Sequence, residues 1–396
     1  MRWDIFCRVV DNYGDIGVTW RLARQLVAEH GLQVRLWVDE LAALARVCPP
    51  ADAQRACQVL QGVEVRHWVE GGAPAEPADV VIEAFACELP RAYREAMAAA
   101  AHRILWLNLE YLSAEDWVEG CHGLPSLQGG GLQKFFFFPG FTAATGGLLR
   151  ERDLLSQRDS LQQDMAQRAA FLATLGVELA PGARLISLFA YENPALGGWL
   201  DALASAPEAT HLLVPEGRIL TDLQSWAGTL LQAGSSLVRG TLTVQVLPFV
   251  EQAHYDALLW CCDLNLVRGE DSFVRAQWAA RPLLWHIYPQ QEGAHWDKLQ
   301  AFIDRYQQGL SPEAAAAQQA FWYAWNAAEP LAEAWQQWLA HVDELAAHAR
   351  SWASRQAAQA DLATALVQFH RNHLMTDGSP INSRVPVNDH LQNPQK

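Results

Sequence analysis

The sequence alternates short apolar runs with helical stretches, and this pattern appears in two separate series along the chain. Strands alternating with helices are typical of open, mostly parallel sheets that carry helices on both faces. The first series predicts one doubly wound α/β domain over residues 1–152, with helices at Ile16–His30 and Leu89–Ala101. Its predicted strands are Trp3–Val10, Leu32–Val38, Val63–Trp68, Val80–Phe85, Ile104–Leu109 and Phe135–Phe138.

A charged helical stretch, predicted as a linker helix over residues 153–180, separates the two series. The second series predicts a domain of similar type over residues 181–350, with helices at Ser272–Ala280 and His295–Tyr306. A chain of 396 residues is also too long for one ordinary hydrophobic core, which favours two domains. The predicted strands of the second domain are Leu185–Ala190, His211–Val214, Leu242–Leu247, Leu264–Val267 and Leu283–Ile287.

Residues 311–373 are rich in Ala, Gln and Trp and predict continuous helix. Trp335, Trp338, Leu339 and Val342 recur at helical spacing, which predicts an amphipathic packing face. We assign residues 351–375 to the last helix. Residues 376–396 contain Pro, Asn, Asp and Gly and are predicted to be disordered.

Composition narrows the class of protein. The formal net charge of −15 argues against broad binding to nucleic acid or to anionic membranes. The seven cysteines form no Cys-x-x-Cys pair, which disfavours a disulfide framework and a zinc ribbon. Neither a signal peptide nor a membrane-spanning apolar run is present, so we expect a cytoplasmic protein.

Several sequence motifs are missing. The sequence holds no Gly-x-Gly-x-x-Gly or Walker loop, which disfavours a dinucleotide enzyme and a P-loop ATPase. It holds no Gly-x-Ser-x-Gly elbow either, which disfavours an α/β-hydrolase. No two aspartates lie two positions apart, so the Asp-x-Asp metal clamp of one large glycosyltransferase class is missing. The sequence therefore predicts neither a metal site nor a cofactor.

The first predicted strand is followed by a polar loop, Asp11-Asn12-Tyr13-Gly14-Asp15-Ile16-Gly17. Open α/β sheets bind ligands at the carboxyl ends of their strands. The two glycines permit close backbone approach, and one tight turn separates the two aspartates, so both carboxylates can face one crevice. Alternatively, Asp15 simply caps the following helix. The combination of residues favours a functional site.

A second polar loop, Arg268-Gly269-Glu270-Asp271-Ser272, follows a strand of the second domain and opens a helix. A helix start offers backbone N–H groups to a phosphate, and Arg268 and Arg275 are suited to neutralise a diphosphate. Asp271 or Ser272 would orient the loop while Glu270 points across the cleft. The alternative is an ordinary helix cap with a surface ion pair.

Aromatic and amide side chains follow two other strands of the second domain. Phe189 and Tyr191 lie after one strand, and Phe249 and Gln252 lie after another. Aromatic rings at one sheet edge can stack on a nucleotide base, and Gln252 can read a base edge or a phosphate. Taken singly, each of these residues is as readily explained by core packing.

The opening residues Trp3 to Cys7, the run from Asp11 to Thr19 and the loop from Arg268 to Ser272 resemble the EarP family. These are protein-arginine rhamnosyltransferases of bacterial elongation factor P. The resemblance runs from Trp3 to about His373. It implies a GT-B fold, in which two Rossmann-like domains face a cleft and the last helix crosses back to the first domain. It also implies inverting, metal-independent transfer from dTDP-β-L-rhamnose to an arginine of elongation factor P.

The resemblance assigns roles residue by residue. Asp11 and Asp15 resemble the family's essential aspartates, and Glu270 resembles its essential glutamate. As a mechanistic hypothesis, Asp15 would act as general base, Asp11 would orient it or the arginine, and Glu270 would activate the same guanidinium from the facing domain. The remaining residues would form the donor site, with the first domain on the acceptor side: Asn12, Tyr13, Gly14, Gly17, Phe189, Tyr191, Phe249, Gln252, Arg268, Gly269, Asp271 and Ser272.

Three rival functions remain open on the residues alone. The first is a GT-B transferase that uses another nucleotide sugar and a lipid or small-molecule acceptor. The second is a non-catalytic scaffold that binds sugar nucleotides, although Asp11, Asp15 and Glu270 are all carboxylates here. The third is a sugar-nucleotide epimerase, which would convert the donor without any acceptor.

Overall fold

The first domain is built on an eight-stranded sheet. The computed structural model describes residues 1–10, 13–69, 75–178 and 180–376. The strand order is β3-β4-β2-β1-β5-β6-β8-β7, parallel except for the two edge strands β3 and β7. The strands are β1 (Arg2–Cys7), β2 (Gln33–Val38), β3 (Cys57–Leu60), β4 (Val63–His67), β5 (Val80–Ala84), β6 (Leu105–Leu109), β7 (Pro125–Leu127) and β8 (Gln133–Phe137).

Four helices complete this domain: α1 (Gly14–His30), α2 (Leu41–Val47), α3 (Arg91–Ala99) and α4 (Trp117–Cys121). The central strand β1 is buried from Trp3 onward because helices cover the sheet. The predicted strand Trp3–Val10 is three residues too long at its end. Beyond Cys7, the Val9 N–H donates to Asp39 Oδ1 at 2.9 Å, so the chain has left the sheet.

The linker contains two helices, α5 (Leu154–Gln163) and α6 (Met165–Thr174), where the sequence predicted one. Asp164 interrupts them with an extended backbone, and its carboxylate accepts from the N–H groups of Ala166 and Gln167. An aspartate that caps a new helix stabilises this break, because it satisfies donors that a helix start leaves open.

The second domain is built on a six-stranded sheet in the order β11-β12-β10-β9-β13-β14, parallel except at β11. All five predicted strands of this domain are present, and only the short edge strand β11 was not predicted. The strands are β9 (Arg184–Leu188), β10 (Thr210–Pro215), β11 (Ser236–Arg239), β12 (Leu242–Leu247), β13 (Leu264–Arg268) and β14 (Leu283–His286). The helices are α7 (Leu196–Ala204), α8 (Leu220–Ala227), α9 (Gln252–Cys261), α10 (Asp271–Trp278) and α11 (Ala294–Tyr306).

The prediction of one continuous helix over residues 311–373 is wrong. Four helices occupy this region: α12 (Pro312–Asn326), α13 (Ala332–Leu339), α14 (Val342–Ala357) and α15 (Leu362–Thr376). Ala328 takes a left-handed backbone (φ 53°) just before Pro330, which cannot continue a helix. Asp361 starts the last helix by accepting from the Thr364 N–H at 3.0 Å.

The C-terminal helices serve both domains. Trp335 and Trp338 are fully buried, as the predicted packing face requires, and stack at a centroid separation of 5.2 Å in the core of the second domain. By contrast, Leu362 and Leu366 of α15 belong to the core of the first domain. The last helix therefore crosses back, but it begins at Leu362 rather than at residue 351. Residues 351–357 continue α14, whose Trp352 packs in the second core.

Among the described residues, no helix combines the length and the apolar character that a membrane span requires. The predicted disordered tail lies, apart from Thr376, outside the described residues.

Candidate active site

Asp15 lies in the first turn of α1, and its side chain is buried (2% exposed). Its Oδ2 accepts from the Val10 N–H at 2.8 Å, and its Oδ1 accepts from the Tyr111 hydroxyl at 3.1 Å. The cap position of α1 is Tyr13, which makes no side-chain capping bond. Asp15 therefore ties the preceding loop and a neighbouring strand end to the helix start, which simple helix capping does not explain. Asp11 and Asn12 lie outside the described residues, and their roles stay predictions.

Glu270 lies between β13 and α10 and reaches across the cleft to the first domain. The Leu112 N–H donates to its Oε2 at 2.8 Å. Burial raises the pKa of Glu270 to about 7, the nearby charges of Asp15 and Asp271 act in the same direction, and Lys298 opposes them. A carboxylate poised near neutral pH and facing a cleft is a candidate catalytic group.

The two carboxylates meet at one short segment of the first domain. The Tyr111 hydroxyl donates a hydrogen bond to Asp15, and the backbone N–H of the next residue, Leu112, donates one to Glu270. Both acids therefore face the same part of the cleft. This is the arrangement that the proposed roles require, since side chains from opposite domains converge. Asp15 and Glu270 lie in different domains and far apart in the sequence, and two adjacent residues of the first domain link them.

Tyr111 is a site residue that sequence reasoning missed. Its ring stacks on Phe85 at 4.5 Å, and Lys298 Nζ lies 5.6 Å from its centroid. Burial, together with the charges of Asp15 and Glu270, raises the pKa of the Tyr111 hydroxyl, which therefore stays protonated and donates. The available signal was its position two residues beyond a strand end, on the edge that carries the polar loops.

A pocket with about 620 Å³ of empty space, partly open to solvent, lies beside these acids. Most of the predicted site residues line it, and four residues of its wall were not predicted: Val47, Pro215, Val250 and Tyr255. The predicted residues in the wall are Tyr13, Gly14, Gly17, Phe189, Phe249, Gln252, Arg268, Gly269, Glu270, Asp271 and Ser272.

The turn that leads into α10 brings the start of this helix to the pocket. Gly269 adopts φ 65°, a left-handed backbone that favours glycine. The turn places Asp271 and Ser272 at the start of an eight-residue helix whose N-terminal end lines the pocket. Backbone N–H groups at such an end favour an anion.

Several aromatic side chains and one arginine, Arg268, line the pocket. The Arg268 guanidinium lies over the rings of Phe189 and Tyr191, at 4.6 and 4.7 Å from their centroids. Tyr191 is buried and does not line the pocket, but its ring packs against the Arg268 guanidinium. The Phe249 ring packs against the ring of Tyr13 of the first domain, with a centroid separation of 5.2 Å. Aromatic side chains of the two domains therefore meet across the cleft.

The amide of Gln252 is engaged by the first domain. Its Nε2 donates to the Gly17 carbonyl at 2.9 Å, and its Oε1 accepts from Arg24 at 3.0 Å. In this arrangement the amide joins the two domains, although the residue still lines the pocket. Its predicted contact with a base or a phosphate stays a prediction.

The prediction that Arg275 neutralises a diphosphate is wrong. Arg275 is 1% exposed, and its guanidinium binds Asp256 through Nε at 2.8 Å and Nη2 at 2.7 Å. Its Nη1 donates to Glu151 at 2.7 Å. It lies one helical turn beyond the start of α10, which turns it away from the pocket and into a buried ion-pair cluster.

Within the described part of the chain, no group of three His, Cys, Asp or Glu side chains is placed to hold a metal ion. Arg268 is the cationic side chain that lines the pocket within the described residues, and the N-terminal end of α10 lies beside it.

Comparison with known proteins identifies the family of this chain. The chain matches the family model described as elongation factor P (EF-P) rhamnosyltransferase EarP over residues 3–371. It is 64% identical over 373 residues to a protein-arginine rhamnosyltransferase from Pseudomonas putida KT2440, covering 94% of this chain and 99% of the relative. It is 58% identical, with the same coverage, to a protein of the same name from Pseudomonas aeruginosa PAO1.

A solved structure shares the whole architecture. It is described as the structural basis for EarP-mediated arginine glycosylation of translation elongation factor EF-P. It superposes with a TM-score of 0.67 at 48% identity, covering 94% of this chain and 99% of that one. The GT-B fold and the family resemblance predicted from the sequence are confirmed. The chain belongs to the EarP family of elongation factor P rhamnosyltransferases, which are glycosyltransferases.

Proposed function

We propose that this protein transfers L-rhamnose from dTDP-β-L-rhamnose to one arginine side chain of elongation factor P, with inversion and without a metal ion. The observation that carries the proposal is the convergence of Asp15 and Glu270 on Tyr111 and Leu112, beside a pocket suited to a nucleotide. Relatives of 64% and 58% identity are named protein-arginine rhamnosyltransferases. With a translation factor as acceptor, the reaction would take place in the cytoplasm.

The chemistry explains the need for acids on two sides. A guanidinium is a poor nucleophile because its pKa lies above about 12 and its lone pairs are delocalised. Glu270 and Asp15 would hold and polarise the planar group from opposite domains. As one arginine nitrogen bonds to the anomeric carbon, the bond from that carbon to dTDP breaks, and the nitrogen gives its proton to Asp15. Attack from the face opposite dTDP inverts the anomeric centre.

The donor half of the site would use the second domain. Phe189 and Phe249 offer apolar faces to the base, and Tyr255 extends the same wall. Arg268 and the N-terminal end of α10 would stabilise the charge on the departing dTDP. Addition of a strong chelator is then expected to leave the transfer rate unchanged.

The proposal is tested by incubating the protein with dTDP-β-L-rhamnose and elongation factor P and recording intact and peptide mass spectra. We expect one deoxyhexosyl residue on a single arginine. Donor converted without acceptor would indicate an epimerase, whereas binding of dTDP without turnover would indicate a scaffold. Transfer only to a lipid or a small molecule would favour another GT-B transferase.

Tyr111→Phe is expected to lower kcat by about 10- to 150-fold, because a hydrogen bond to a charged group contributes about 1.5–3 kcal/mol. The variant keeps the ring stacked on Phe85 and removes only the hydroxyl that donates to Asp15. Tyr323→Phe is the matched control, since the Tyr323 hydroxyl binds Gln300 on the surface of the second domain. Equal steady-state rates for the two variants would contradict a catalytic-site role for the Tyr111 hydroxyl.

A further inference from the structure

Arg21 of α1 enters the second domain and binds acids there. It is 2% exposed, and its Nε lies 2.9 Å from Asp271 Oδ1. Its Nη1 and Nη2 contact the two oxygens of Asp256 at 3.0 and 3.2 Å. Glu151, which lies just before the linker helices, is 3.5 Å from Nη1. One guanidinium thus contacts two carboxylates of the second domain and a third at the end of the first domain.

The neighbouring residues of α1 extend this contact. The Gly17 carbonyl and Arg24 bind the two ends of the Gln252 amide, and Gln252 Nε2 also lies 3.3 Å from Asp271 Oδ2. A Cβ on Gly17 would lie 3.3 Å from Asp271 Oδ2, so α1 and the start of α10 are in direct contact. We call the set Gly17, Arg21, Arg24, Gln252, Asp256 and Asp271 the interdomain clasp.

Arg21 and Asp256 of the clasp belong to a buried cluster of ion pairs. Arg21 and Arg275 share Asp256 and Glu151 in a buried cluster. Although burial alone would raise it, the pKa of Glu151 is lowered to about 2, by Arg275 and then by Arg21. A buried carboxylate that loses its cationic partner is strongly destabilised, because its desolvation is no longer compensated. The charge balance of the cluster therefore favours the arrangement in which the domains are in contact.

The clasp also forms part of the donor pocket. Gly17, Gln252 and Asp271 line the pocket, and Asp271 immediately follows Glu270 at the start of α10. Fixing the Asp271 carboxylate to α1 fixes the loop that carries Arg268 and Glu270. The same contact brings Glu270 within reach of the Leu112 N–H. Arg21 itself lies outside the pocket wall, so it acts through Asp271.

We propose that Arg21 is a positioning residue that couples closure of the two domains to the shape of the donor site. This inference rests on the proposed function for the identity of the donor, dTDP-rhamnose. When the domains separate, Asp271 and Gln252 lose their partners on α1, and the loop from Arg268 to Ser272 loses its fixed orientation. Nucleotide affinity and domain closure are then linked through one guanidinium.

The test compares Arg21→Gln and Arg21→Lys with Arg35→Gln in the full-length protein. Arg35 is a matched control because it is also buried and binds Asp4 through two nitrogens, but within the first domain. We expect Arg21→Gln to raise the Kd for dTDP and the donor KM by about 5- to 150-fold, the range typical of coupling between sites. It should also increase the radius of gyration of the ligand-free protein in X-ray scattering. Arg21→Lys keeps the charge but loses the bidentate geometry. Its Kd, KM and radius of gyration should therefore lie between those of Arg21→Gln and those of the native protein.

Arg35→Gln should lower the Tm as Arg21→Gln does and leave the Kd for dTDP within about twofold. The inference is overturned if Arg21→Gln loses stability while its radius of gyration and its Kd stay native. Should Arg21→Gln fail to fold, the same readouts on Arg21→Lys decide. The scattering comparison needs no nucleotide and therefore tests the positioning role of Arg21 by itself.

If the native protein does not bind dTDP, only the identity of the proposed donor is disproved. If the native protein binds dTDP but does not modify elongation factor P, only the proposed acceptor is disproved.

Discussion

Asp15→Asn is expected to lower kcat for arginine rhamnosylation by about 10²–10⁴-fold, the usual contribution of a general base. Asparagine has nearly the same shape and can still accept from Val10 or Tyr111, but it cannot take a proton from the attacking guanidinium. The Kd for dTDP should change little, because Asp15 lies outside the wall of the nucleotide pocket. Single-turnover kinetics at saturating donor and acceptor measure the chemical step directly.

Asp39→Asn is the matched control for this change. Asp39 Oδ1 accepts from the Val9 N–H at 2.9 Å, one residue before the Val10 N–H that Asp15 accepts at 2.8 Å. Both substitutions therefore disturb the same turn of backbone, and only one removes the carboxylate bound to Tyr111. Near-native turnover by Asp15→Asn with dTDP binding intact would rule out Asp15 as the base.

Glu270→Gln is expected to lower kcat/KM by about 10²-fold at pH 8 and to remove an acidic limb from the pH profile. The pKa of Glu270 is raised by burial to about 7, so the carboxylate that attracts the guanidinium is half formed at that pH and predominates above it. In the native protein, kcat/KM should fall about tenfold for each pH unit below 7 and level off above it. In the variant, the limb near pH 7 should be absent.

Glu110→Gln identifies which carboxylate produces that limb. Burial raises the pKa of Glu110 as well, and this residue lies one position before Tyr111. Glu110→Gln should keep the limb near pH 7. Loss of the limb in that variant, with the limb retained in Glu270→Gln, would reassign the titrating group.

The raised pKa also predicts a change in stability. A carboxyl with a higher pKa in the folded state stabilises the fold most at low pH, and this contribution is lost as the pH rises through about 7. Glu270→Gln lacks that titration. Its Tm, measured by calorimetry against the native protein, should therefore be relatively higher at pH 8 than at pH 5. A difference in Tm that is independent of pH would contradict the shifted pKa.

Sequence alone identified the two α/β domains and most of the candidate site. Alternation of apolar runs with helices is a local pattern, and parallel strands bring their carboxyl ends to one edge. The family resemblance implied that the two sheet edges face one cleft, so the loops Gly14–Gly17 and Arg268–Ser272 were expected to lie near each other. Both loops contribute residues to one pocket. The short antiparallel edge strands β3, β7 and β11 were missed because three or four residues carry too little periodicity.

Helix ends were less predictable than helices. Composition favours helix throughout residues 311–373, but Pro330 and the cap at Asp361 divide the region. Single capping residues such as Asp164 decide these breaks, because a side chain that satisfies open N–H groups offsets the loss of helical bonds.

Tertiary structure alone decided what each polar side chain binds. Arg275 looked like a phosphate ligand beside the second loop, yet its guanidinium is held by Asp256. Gln252 looked like a reader of the base, yet α1 holds its amide. Tyr111 and Arg21 had no motif of their own. The physical reason is that such contacts form between separate elements that meet only in the folded chain. Those of Gln252 and Arg21 span up to 250 positions, and they form only when the two domains pack in one relative orientation.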